Sequence, residues 1–497
     1  MYIVVVLISW FPVAANIAKV AMMRHRGARV ARFGGQVRIS SLKNNFMIPF
    51  RPRSAAWIAT IALVFVINST AHAQLMDYMR RPDPAFSWQH LQTERVERGK
   101  VYKLHFVSQI WQGIRWEHQL QVYEPKNLKY PDVLLLYVTG GHASKEGINL
   151  GFKIAEHAGM RVGVLYQIPK QPLFGGKSED ALISYTFVQY LHTGDASWPL
   201  LFPMVKSVLK AMDVLQAFAP KGWGRPINKF IVAGASKRGW TTWLTAATGD
   251  PRVVAIAPMA IDTLDIPVQL KHQLAVYGTY SSEIDDYVNA GLLKPSVLKT
   301  SASRRLWRMV DPYTYRQHLT LPKLIFRGAN DPYWAQDALN FYWNELQGSK
   351  RVLYVPNAGH NMEEKGEDHT RLLDTLGAFA RHIASSTPMP KPDWQYKREG
   401  GKIRLTIRSG QPAESARLWV ARSTSLDFRK SHWSSLPMRQ AGSEFADEYP
   451  LPLKNNVALF GEIHYSFEGR PYTLSTQIRI LRGKAGSRHS VLSAKGF

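Results

Sequence analysis

Three side chains in this sequence have the types, order and settings of an acyl-transfer site: Ser236 in "VAGASKRGW", Asp331 in "LIFRGANDPYW" and His360 in "LYVPNAGHNM". Each follows an apolar run that reads as a strand, and the serine leads directly into a helix-like stretch, "KRGWTTWLTAAT". A serine on a sharp strand-to-helix turn is held in a strained backbone conformation that presents its hydroxyl, and the following helix aims its first N–H groups at a developing oxyanion. A histidine can take the hydroxyl proton during attack on a carbonyl, and an aspartate can hold the imidazole in the tautomer this requires.

Oxyanion donors are expected from the backbone N–H of Lys237 and from the loop "VTGGHAS", where Gly140 and Gly141 follow an apolar run. The turn departs from the G-x-S-x-G pattern, because its glycines are Gly234 and Gly239 and the second arrives one position late. Other readings stay open at each position. Ser236 can be the serine of an ordinary tight turn. Asp331 precedes Pro332 and can shape a turn, which makes Asp262, at the end of "RVVAIAPMAID", the alternative acid. His369 is a second candidate base, inside a charged run. Lys237 and Arg238 are either surface charges or a device for a carboxylate-bearing substrate. Arg238, Trp240, Tyr333 and Trp334 are the substrate-binding candidates, while Trp198 and Trp243 either pack the core or wall a cleft. The chain has no cysteine, hence no disulfide, thiolate metal site or thiol nucleophile. Dinucleotide, phosphate-loop and H-E-x-x-H patterns are absent, so neither cofactor nor metal is implied.

The elements that must carry these residues alternate regularly. "VYKLHFVSQIW" and "WEHQLQVYEP" read as an antiparallel pair joined at "QGIR". "DVLLLYVTGG" and "RVGVLYQIP" are continuous apolar runs, as strands buried on both faces require, with a helix ending at Gly159 between them. An amphipathic helix over 204–220 ends at Pro220. "KFIVAGAS", "RVVAIAPMAID", "KLIFRGAND" and "RVLYVPNAG" are further strands, and "TRLLDTLGAFARHIASS" is a helix. Strand and helix in succession predict a doubly wound, mostly parallel sheet, and the order Ser, Asp, His, each after a strand, is that of the α/β-hydrolase fold. The alternation breaks over about 263–321, which reads as a helical lid inserted between two sheet strands.

Domain limits follow from composition. The α/β-hydrolase domain is expected over 74–386. After the Pro-rich linker "SSTPMPKPDW", short alternating strands predict a small β-sandwich over 392–483, then a disordered basic tail at 484–497. The net charge is +26, but residues 1–73 hold nine Lys or Arg and no acid, leaving +17 scattered over the rest with no nucleic-acid signature. From Met47, "MIPFRPRSAAWIATIALVFVINSTAHAQ" has the basic, apolar and A-x-A regions of a secretory leader cleaved after Ala73. This makes Met47 the expected start and the mature protein secreted or periplasmic; an N-terminal membrane anchor is the alternative.

"YVTGG", "YQIPKQPLF", "EDALISYTF", "HTGDASWPLLFPMVKSVLKAMDVLQ", "VAGASKRGWTTWLTA", "RVVAIAPMAID" and "NAGHN" resemble the PhoPQ-activated pathogenicity-related, PqaA-type, proteins over roughly residues 80–480. The resemblance implies an α/β-hydrolase fold, a signal peptide, and Ser236, Asp331 and His360 on the matching positions. The elbow is also similar to that of glucuronoyl esterases, where a basic residue follows the serine. Three function classes remain open: an esterase on a small-molecule, peptide- or polysaccharide-linked ester, a peptidase with the same triad, and a non-catalytic binding protein on a hydrolase scaffold.

Overall fold

The computed structural model describes residues 71–364 and 369–483. The expected start at Met47, most of the expected leader and the basic tail lie outside the described residues; residues 71–80 are helical, and Ala71, Leu75 and Tyr78 among them are buried. Among the described residues, no helix is long and apolar enough to cross a membrane.

A nine-stranded sheet carries the site. Its strands are β1 (Ser87–Val96), β2 (Gly99–Trp111), β3 (Ile114–Pro125), β4 (Tyr130–Val138), β5 (Met160–Leu165), β6 (Phe230–Ala235), β7 (Val253–Met259), β8 (Lys323–Gly328) and β9 (Lys350–Val355). They run in the order β1-β2-β3-β5-β4-β6-β7-β8-β9. The first three strands and the β3–β5 pair are antiparallel, and every pairing from β5 to β9 is parallel. The continuous apolar runs are what this arrangement needs, because alternate residues of one strand enter different cores. Leu134, Leu136 and Val138 of β4 join one core with Trp243, Leu215 and Phe218; Val133 and Leu135 join the other with Phe152 and Phe379.

Helices α1 (Lys145–Ala158), α2 (Glu179–Thr193), α3 (Leu201–Gly222), α4 (Lys237–Ala247) and α7 (Thr370–Ala384) flank the sheet strands in sequence. Helix α1 ends at Gly159 in the left-handed region, as expected of a C-cap glycine. Helix α3 runs two residues past Pro220, which sits in the last turn, where a missing N–H removes one bond without breaking the rest. Between β7 and β8 the insertion is helical, with α5 (Ile266–Tyr277) and α6 (Ser301–Val310) joined by a stretch holding short helical segments at Ser282–Ile284, Asp285–Asn289 and Pro295–Leu298. Buried Asp311 ties both ends of this insertion together by accepting the backbone N–H groups of Asp265, Ile266 and Tyr313.

The C-terminal strands form two antiparallel sheets over residues 393–481. Alternation positions them: Ile403, Leu405 and Ile407 point inward while their neighbours do not. These sheets pack directly on the part of the chain that carries the nine-stranded sheet. Thr375 of α7 both accepts from the Thr473 N–H and donates to its carbonyl, at 3.3 Å each, and the Ser475 hydroxyl accepts the Tyr354 N–H of β9 at 3.0 Å. Arg371 of α7 meets Glu462, which is wholly buried.

Candidate active site

Ser236 stands between β6 and α4 with φ 58° and ψ −124°, a backbone conformation that side-chain-bearing residues rarely adopt. Two glycines make the turn possible. A Cβ on Gly234 would lie 2.8 Å from the Arg238 carbonyl oxygen, and one on Gly239 would lie 2.7 Å from that of Met259 on β7. The late glycine is thus explained: α4 leaves the turn so close to β7 that position 239 has no room for a side chain.

The serine hydroxyl faces a histidine. His360, on the loop after β9, has Nε2 at 2.9 Å from Ser236 Oγ, and its Nδ1 lies 3.2 and 3.1 Å from the two carboxylate oxygens of Asp331. Asp331 follows β8 and is 1 % exposed. Burial raises its pKa, but the His360 hydrogen bond, the Arg327 charge and the Tyr333 N–H at 2.9 Å more than offset this and hold the carboxyl below its usual range. An ionised carboxylate can only accept, so Nδ1 carries the imidazole proton and Nε2 is free to accept from the serine.

The alternative acid is elsewhere. Asp262 is bound by Arg327 at 2.8 Å and by the Tyr342 hydroxyl, both buried, and burial raises its pKa. It has no contact with His360, and its partners leave it a structural role. His369 caps α7 in a left-handed conformation and meets the Asn361 carbonyl at 3.2 Å.

Lys237 and Arg238 are not free charges. Lys237 Nζ sits 2.5 Å from Asp180 and 3.8 Å from Glu179. Arg238 makes a two-pronged pair with Glu179, 2.7 Å on each arm, and donates from Nε to the Ile168 carbonyl. Burial and the Arg238 bonds act in opposite directions on Glu179 and the bonds win, taking its pKa down to about 2. Two cations meet two carboxylates, so the site offers no unpaired positive charge. Arg238, a candidate for binding a substrate carboxylate, is engaged by Glu179, and its guanidinium lies under the oxyanion-loop candidate Gly140, where a Cβ would fall 1.6 Å from Nη2. Beside Gly141 nothing lies within 4 Å of an added Cβ. Register places this loop next to the serine, since Val138 pairs with Gly234.

A cavity opens at Ser236, walled by Trp240, Ile261, Leu270, Tyr287, Trp307 and Trp334 among others. Its volume is about 50 Å³, several times the ~10–15 Å³ one water needs. Three of the four substrate-binding candidates, Trp240, Tyr333 and Trp334, line it. Trp198 instead joins Trp111, Phe174 and Tyr185 in a separate aromatic cluster, and Trp243 is in the core. The Tyr333 ring lies over His360, centroids 4.2 Å apart. Asp180 accepts from the Tyr287 hydroxyl of the insertion at 2.9 Å and from Tyr333 at 3.3 Å, which links insertion, acid loop and elbow. Among the described residues, no group of three or more His, Asp or Glu could hold a metal ion.

Sequence reasoning missed Glu179, Asp180, Arg327 and Tyr287. Arg327 had a signal, a cation directly after the apolar residues of "KLIFRG".

The family model for "PhoPQ-activated pathogenicity-related protein" matches residues 75–429. Autocrine proliferation repressor protein A of Dictyostelium discoideum is 30% identical over 396 residues, covering 74% of this chain and 78% of that one. Among solved structures, acetyl xylan esterase 1 from Thermoanaerobacterium sp. JW/SL YS485 is 16% identical with a TM-score of 0.47, over 64% of this chain and 93% of the other. The glucuronoyl esterase from Solibacter usitatus is 9% identical with a TM-score of 0.40, over 64% and 92%.

Proposed function

The chain belongs to the PhoPQ-activated pathogenicity-related protein family, and with that premise we propose that it is a serine esterase acting through Ser236, His360 and Asp331. The unbroken chain of contacts from hydroxyl to imidazole to buried carboxylate carries this reading. Ser236 Oγ attacks the ester carbonyl as its proton passes to His360 Nε2, and the Asp331 carboxylate stabilises the imidazolium that forms. The tetrahedral oxyanion is met by the Lys237 N–H and by the loop at Gly140 and Gly141. Imidazolium then gives its proton to the departing alkoxide, and water repeats the sequence on the acyl-enzyme.

The cavity supports an ester over a charged or peptide substrate. Its walls are largely aromatic and aliphatic and its two charged residues, Asp180 and Lys237, neutralise each other, so a short uncharged acyl group is the fitting occupant. Export through the leader at residues 47–73 is the localisation proposed. N-terminal sequencing of the mature protein is expected to start at Gln74, and recovery of peptides from residues 1–46 rejects the internal start.

The expected result is turnover of p-nitrophenyl acetate and butyrate, lost in Ser236→Ala, with the monosuccinyl ester and aminoacyl p-nitroanilides at least about tenfold slower. Preference for the aminoacyl substrates favours a peptidase. Absence of any turnover favours the second reading, a binding protein on a hydrolase scaffold, which the name of the Dictyostelium relative, a proliferation repressor, keeps in view.

A further inference from the structure

The segment over residues 427–433, a loop that ends at the first residue of the strand Trp433–Pro437, reaches the two loops that carry Asp331 and His360. Asn330, immediately before Asp331, points its amide nitrogen into a ring of three carbonyls, those of Phe428 at 3.1 Å, Arg429 at 3.2 Å and Ser431 at 2.7 Å. Asn357, three residues before His360, makes a reciprocal pair with the backbone of Trp433: it donates to the carbonyl at 2.9 Å and accepts the N–H at 2.7 Å. Trp433 is itself fixed, buried with its ring against Phe460.

The same loop touches the helical insertion. The Arg429 guanidinium lies over the ring of Tyr277, the last residue of α5, at 3.8 Å, and is held in place by Asp427 at 2.7 Å. One short segment from outside the sheet therefore contacts the acid loop, the base loop and the insertion that roofs the cavity. The acid and base loops also depend on each other, because the Asn330 N–H donates to the Ala358 carbonyl at 2.9 Å.

We infer that the 427–433 loop of the C-terminal sheets is a positioning element for catalysis, with Asn330 and Asn357 as its contact points: it sets the distance between Asp331 and His360 and so the approach of Nε2 to Ser236. This rests on the esterase reading above. Neither asparagine touches the reacting atoms, so each acts through its neighbour. Loss of either contact frees a loop end carrying a triad member, and a displacement of about 1 Å at such a group costs on the order of 100-fold in rate. The element explains why an α/β-hydrolase chain carries a β-sandwich fixed against its sheet.

Two substitutions separate positioning from folding. Asn330→Asp keeps shape and volume but turns a donor facing three carbonyls into an acceptor. Asn357→Gly keeps the left-handed backbone that Asn357 adopts at φ 59° while removing both bonds to Trp433. In the full-length chain, assayed with p-nitrophenyl butyrate, each is expected to lower kcat about 10- to 100-fold with KM within about twofold, and to slow labelling of Ser236 by a fluorophosphonate in parallel. Arg429→Ala, which frees only the insertion, is expected to move KM more than kcat. Unchanged kcat in either folded asparagine variant, with an active wild type, overturns the inference and leaves the esterase reading standing. A kcat loss matched by loss of the folded fraction, with normal turnover per folded molecule, overturns it as well. A wild type that neither turns over nor labels removes the esterase reading, and this inference with it.

Discussion

Ser236 and its two partners, Asp331 and His360, are held in place by different means. Ser236 is positioned within a single strand–turn–helix unit and the strand beside it: Gly234, Gly239 and the Met259 carbonyl decide its geometry. Asp331 and His360 sit on loops that cross one another and are secured from outside the sheet. A Cβ on Gly328, at the end of β8, would lie 2.1 Å from the Gly359 carbonyl oxygen, and the preceding asparagines are bound by the C-terminal sheets. The geometry of Ser236 is local, and that of Asp331 and His360 is assembled from residues about 30 to 100 positions apart.

The comparison breaks first if the acid is misassigned. Asp331→Asn is expected to lower kcat/KM by about 10³- to 10⁴-fold through the wrong imidazole tautomer. Asp262→Asn leaves the tautomer intact and strands Arg327, so its cost falls on stability, about 3–5 kcal/mol by denaturant unfolding. The reverse pattern makes Asp262 the acid. Next, Gly328→Ala is expected to cost about 1–3 kcal/mol and about 10-fold or more in kcat, with His360 displaced, whereas Gly239→Ala has a similar stability cost and displaces Ser236. Crystal structures of the two variants distinguish these shifts.

Smaller effects sharpen the picture of the neutralised charges. Asp180→Asn leaves Lys237 with the Tyr333 hydroxyl at 3.3 Å and the more distant Glu179 at 3.8 Å, and is expected to lower stability by about 2 kcal/mol, read by calorimetry. The last prediction concerns pH. Folding lowers the Glu179 pKa from 4.5 to about 2, so its ion pair stabilises the fold fully above about pH 4.5 and is lost as pH falls toward 2. The gap in Tm between wild type and Glu179→Gln is expected to close over that window. A gap that stays constant with pH would show that Arg238 gains nothing from the charge.

This division also explains what was legible in the sequence. The elbow and the alternation of strands and helices around it could be read because each depends on adjacent residues, Asp331 and His360 stood out because each closely follows an apolar run, and those runs mark strands buried on both faces. Helix α2 was passed over because apolar and polar residues share its buried side, Asp180, Ser184 and Thr186 beside Leu182 and Phe187, so no clean stripe marks it. That omission hid Glu179 and Asp180, and with them the neutralisation of Lys237 and Arg238. The contacts of Asn330 and Asn357 had no local signal at all, since both partners lie in a loop some 76 to 101 residues later.

The central claim is an activated serine at position 236. Wild-type protein treated with a fluorophosphonate probe and mapped by mass spectrometry is expected to carry one adduct, on Ser236, absent in Ser236→Ala and formed far more slowly in His360→Ala. A folded wild type that takes no adduct, or takes it on another residue, contradicts the claim.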